Sequence, residues 1–100
     1  MNAVTATKEM AQKLIDANFD VKIEETATSF NFSAMSRNEW YSTTYIFTAG
    51  AYITGANRSR KYFAATRSMT FAKTVSKRNI SYVQMNREID YAIRLQKVGA

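Results

Sequence analysis

Between Phe19 and Phe47 the apolar residues stop following the spacing of a helix and fall on every second position. Phe19, Val21 and Ile23 alternate with Asp20, Lys22 and Glu24, and Phe30, Phe32 and Ala34 alternate with Asn31 and Ser33. Successive side chains on a strand point to opposite faces, so this pattern yields two half-buried strands joined by a short Thr/Ala/Ser turn. The polar cluster Ser36, Arg37, Asn38 and Glu39 makes a second turn, after which Tyr41, Thr43, Tyr45 and Phe47 open a third strand rich in β-formers. Gly50 is expected to mark a bulge in that strand, and Gly55, Ala56 and Asn57 read as the next turn.

The segments on either side keep the helical period. Met10, Ala11, Leu14 and Ile15 form one apolar stripe, which predicts a helix over 7–17 with Thr5 or Thr7 as N-cap and Asn18 in the left-handed position that ends it. Tyr82, Met85, Ile89, Ala92 and Ile93 recur in the same way near the C-terminus. There Ser81 and Gln84 are placed for a capping box, Asp90 and Arg94 for an i,i+4 pair, and Gly99 for a stop.

Residues 59–75 fit both periods. As a strand, Phe63, Ala65, Arg67, Met69, Phe71, Lys73 and Val75 share a face; as a helix, Tyr62, Ala65, Met69 and Ala72 share one and leave Phe63 and Phe71 outside it. Leaving two phenylalanines in water forfeits burial worth roughly 1.5–3 kcal/mol each, which favours the strand. The fold class is therefore α+β, an antiparallel sheet of three or four strands with an N-terminal and a C-terminal helix packed on one face, in the order α-β-β-β-(β or α)-α. If 59–75 were helical, the element order over 7–75 would resemble that of double-stranded RNA-binding domains. Ser59, Arg60 and Lys61 then stand where that family opens its basic second helix, although Phe63 replaces the small residue of the family pattern and Ala64 its next basic residue.

One hundred residues without a proline, a Gly/Ser-rich linker or a repeat read as a single domain over 1–100. No apolar run reaches the roughly 20 residues that span a bilayer, and the first residues lack a signal-peptide layout, so the expectation is a cytoplasmic protein without a membrane contact. The chain contains neither cysteine nor histidine. That removes thiolate nucleophiles, Ser–His and Cys–His arrangements and the commonest metal ligands. Glu24 and Glu25 point to opposite faces of a strand, and Glu88 and Asp90 do not share a helix face, so neither pair makes an acid/base couple or metal site. The expectation is a non-enzymatic protein with no cofactor and no metal.

Charge is distributed unevenly. Residues 1–39 carry a net charge of −2, while residues 40–87 contain eight Lys or Arg and no carboxylate. Within Asn57–Arg78, the cations Arg58, Arg60, Lys61, Arg67, Lys73, Lys77 and Arg78 are interleaved with aromatic and aliphatic side chains. Cations that converge on an anionic track, with aromatic rings beside them for stacking, are what phosphate backbones require. The bland alternative is a solvated sheet whose lysines blunt an edge. Trp40, Tyr41 and Tyr62 are candidate aromatic anchors, though a lone tryptophan in a small domain is more often core. The chain is thus expected to bind a nucleic acid or nucleoprotein through 57–78. The alternative is a small, phage-like inhibitor or adaptor that occludes an acidic protein surface, and a homo-oligomer formed through a strand edge or the C-terminal helix is a further possibility.

Overall fold

Asn18 takes a positive φ of 65° and turns the chain out of the first helix into the sheet. Its amide donates to the Ile15 carbonyl and the Phe19 amide to that of Leu14, which closes the last turn of helix α1, Ala3–Asp16. The computed structural model describes residues 3–38, 43–55, 58–69 and 74–98, the side chains of 38, 53–55, 58–59, 69 and 97–98 excepted. After α1 come five strands, β1 Asp20–Glu25, β2 Ser29–Asn38, β3 Thr43–Gly55, β4 Arg58–Met69 and β5 Val75–Arg78, and then helix α2, Tyr82–Val98. The strands form one antiparallel sheet in the order β1-β2-β3-β4-β5, each paired with its sequence neighbours.

Register explains how one face of this sheet becomes the core. Ala34 lies opposite Phe47, which lies opposite Ala65; one row along, Phe32 lies opposite Ala49, which lies opposite Phe63. Each ring is therefore flanked across the ladder by alanine, and the gaps so left admit side chains from the helices. Met10 and Leu14 of α1 and Met85 and Ile89 of α2 are fully buried in the same cluster as Phe47 and Phe63. Large-against-small alternation of this kind is what close packing demands of a sheet and a helix layer. Helix α1 packs on β1 to β4 and α2 on β4, and Lys13 of α1 ties the two together through Asp90 at 2.6 Å and Asn86 at 3.4 Å.

The expected α+β class holds, with five strands where three or four were expected. The open choice at 59–75 resolves to strand up to Met69, with Phe63 fully buried. The second helix required for a double-stranded RNA-binding arrangement is thus a strand. β5 is the unexpected strand, four residues on an edge with every side chain exposed.

Smaller expectations need correction. α1 begins at Ala3, so Thr7 is interior; its hydroxyl donates to the Ala3 carbonyl at 2.7 Å instead of capping. The bulge falls between Ile53 and Gly55, and Gly50 sits in regular register opposite Asn31 and Tyr62. Ser36 to Asn38 continue β2 instead of turning. Asp90 pairs with Lys13 across the helices. Trp40, Tyr41, Phe71 and Lys73 lie outside the described residues.

Candidate functional site: the open face of the sheet

Alternation along β4 divides the basic stretch. Odd positions of β4 and β5 share the face of Phe63 beneath the helices, and even positions point the other way. Lys61, Arg67 and Lys77 accordingly lie on the helix side, and Arg60, Tyr62 and Arg78 on the far side. Arg58 starts β4, but its side chain lies outside the description, as does the whole of Lys73. Of the seven cations expected to act together, the five whose side chains are described are therefore split by the thickness of the sheet.

On the helix side Lys61 and Lys77 are engaged locally. Lys61 lies with its ammonium 5.5 Å from the Phe63 ring centroid, a cation–π distance. Lys77 donates to Glu88 Oε1 at 2.6 Å, and Gln84 donates to the same oxygen at 3.1 Å. Arg67 stands opposite Tyr45 in the ladder. Burial pushes the Tyr45 phenol above its ordinary value; the neighbouring Tyr91 adds to the rise and Arg67 opposes it.

Among the described residues the far side is a bare sheet, and no side chain on it is buried. Its rows follow from the register. One runs Lys22, Ser33, Thr48, Ala64, Arg78 across all five strands, with a cation at each edge, roughly 19 Å from end to end at the usual strand spacing. The next runs Glu24, Asn31, Gly50, Tyr62, and beyond it Tyr52 faces Arg60. In the opposite direction Met35 faces Ile46, and Arg37 reaches Thr44 Oγ1 at 3.4 Å. The cations Lys22, Arg37, Arg60 and Arg78 outnumber Asp20 and Glu24, and both acids belong to the edge strand β1.

Gly50 lies in the floor of a shallow depression of about 430 Å³ whose lining includes Lys22, Glu24, Asn31, Tyr52 and Tyr62. A Cβ at Gly50 would lie 2.6 Å from Asn31 Oδ1, so the missing side chain is what keeps the floor low and lets the Asn31 amide lean over it. Tyr52 and Tyr62 are 44% and 39% exposed, on adjacent strands and two positions apart across the ladder, so both offer a ring edge or face to solvent. The arrangement can hold a flat, partly apolar group over a glycine floor, with an amide at hand, Lys22 and Glu24 on its lining and Arg60 next to Tyr52.

Sequence reasoning identified Arg60, Tyr62 and Arg78 here and missed Lys22, Asn31, Arg37 and Gly50. Their signal was parity, since each occupies the position on its strand that alternates with the buried residues. Among the described residues no helix is long and apolar enough to cross a membrane. Compared with known proteins, the chain matches no family model, no curated protein and no solved structure.

Proposed function

We propose that this chain is a non-enzymatic protein that binds single-stranded nucleic acid on the open face of its sheet. Unpaired bases stack on exposed aromatic rings, and the phosphates that follow them are held by cations set around the rings. The observation that carries this reading is the open face itself, with Tyr52 and Tyr62 diagonal to each other across the ladder, Arg60 opposite Tyr52, Lys22 and Arg78 one row along from Tyr62, and Arg37 at the far end of the same face. A duplex hides the faces of its bases, so the tyrosines favour single strands. The site differs from the whole segment 57–78, because Lys61, Arg67 and Lys77 point away from it.

The test is fluorescence anisotropy of a labelled single strand and a labelled duplex over a range of salt. Four cations predict a slope of log affinity against log salt of about −3 at most for a single strand. The single strand is expected to bind more tightly than the duplex, and Tyr52→Ala with Tyr62→Ala to weaken it by about 1–3 kcal/mol per stacked base. Binding indifferent to salt, or to loss of both rings, overturns the reading. A stoichiometric complex with a protein that survives nuclease treatment, in the absence of strand binding, favours the steric-inhibitor alternative.

A further inference from the structure

On the opposite side of the sheet, between the β3–β5 edge and α2, lies a separate cavity of about 190 Å³. Phe47 and Ala65 line its apolar part, and Val75 and Tyr91, both about two-fifths exposed, are also among its lining residues. Register sets the Arg67 side chain between Tyr45 and Val75, so the guanidinium is a polar group of this cavity with an apolar neighbour on one side.

The charges in the cavity are not balanced. Glu88 is satisfied by Lys77 and Gln84, and that ion pair leaves Arg67 as the excess charge. The ion pairs seen among the described residues join Lys8 to Glu25, Lys13 to Asp90 and Lys77 to Glu88, and none uses Arg67. A half-buried guanidinium is a planar fork that a carboxylate satisfies through two parallel hydrogen bonds. The Tyr45 phenol stands in hydrogen-bonding reach of Arg67 and, like any phenol, is protonated at neutral pH, so its hydroxyl is a further polar group beside the guanidinium.

We infer that this cavity binds one small organic acid, with its carboxylate on Arg67 and its short apolar body against Phe47, Ala65 and Val75. The net single positive charge matches a monoanion. The Glu88 carboxylate on the same wall disfavours a dianion such as phosphate. The volume excludes a drug-sized ligand and leaves room for little more than a single ring. This site is independent of the open face, because the two lie on opposite sides of the sheet.

Benzoate is the probe, followed by amide chemical shifts in solution at neutral pH. Saturable shifts confined to residues around Arg67, Val75, Lys77 and Tyr91 are expected, with none from benzamide, which has the same shape without the charge. Arg67→Gln should weaken benzoate by about tenfold or more, and Arg67→Lys, which keeps charge but loses the fork, should fall between. The spectrum of each variant reports whether the fold is intact, and the benzoate–benzamide comparison is made on the unaltered protein. Equal response to benzoate and benzamide, unchanged affinity in a folded Arg67→Gln protein, or tighter binding of inorganic phosphate at the same residues overturns the inference.

Discussion

Tyr45 shows how much a single position depends on its neighbours. It alternates with Phe47 as a core residue should, is only 6% exposed, and yet carries a hydroxyl facing a guanidinium. Its pKa in the folded state lies above the unfolded value of about 10, because burial penalises the phenolate. The folded protein therefore holds this proton more tightly than the unfolded chain. The associated stability is fully present below about pH 10 and is lost as pH rises through the raised folded value. Tyr45→Phe has no proton to lose at this position. Between about pH 8 and about pH 11, chemical denaturation should show a larger loss of stability in the unaltered protein than in the variant. An equal loss in both would show that the phenol is not held this way. The buried position of Tyr45 was legible from alternation, but its partner was not. Arg67 is twenty-two residues away in sequence, and only the β3–β4 register brings the two together.

At the scale of elements, legibility followed the amount of apolar patterning. α2 was readable because Met85, Ile89 and Ala92 are deeply buried at helical spacing, and β2 because Phe30, Phe32 and Ala34 alternate strictly. β5 was not readable. Val75, Ser76, Lys77 and Arg78 contain one apolar residue, and an exposed edge strand takes its conformation from the ladder it joins, here Ala64 to Arg67. The start of α2 offers a sharper test of element-level reasoning. Ser81 Oγ accepts the Gln84 amide at 3.1 Å, as an N-cap does, but the Gln84 side chain donates to Glu88 and does not close the reciprocal half of a capping box. Ser81→Ala should therefore cost about 1 kcal/mol in urea denaturation, the value of a cap acting alone. A loss within error of zero would show that the helix start is held by the burial of Met85 instead.

For the whole molecule the decisive fact is that a sheet has two sides. The sequence carries a formal net charge of +6 and a 48-residue stretch without an acid, which suggested one basic surface. Period two converts such a stretch into two surfaces, because Arg60 and Arg78 leave the sheet on one side while Lys61, Arg67 and Lys77 leave it on the other. Net charge and face charge thus make different predictions. Arg60→Gln with Arg78→Gln and Lys61→Gln with Arg87→Gln each lower the formal charge by the same amount. The first pair empties part of the open face, and the second removes charge from the helix side and from α2. If strands bind on the open face, the first double variant should flatten the salt dependence of single-strand affinity by about 1.4, the share of two phosphate contacts, and the second should leave it unchanged. Equal flattening would mean that the protein attracts polyanions by its total charge, with no preferred side. Flattening by the second pair alone would move the strand to the helix face and leave the two exposed tyrosines without a role in binding.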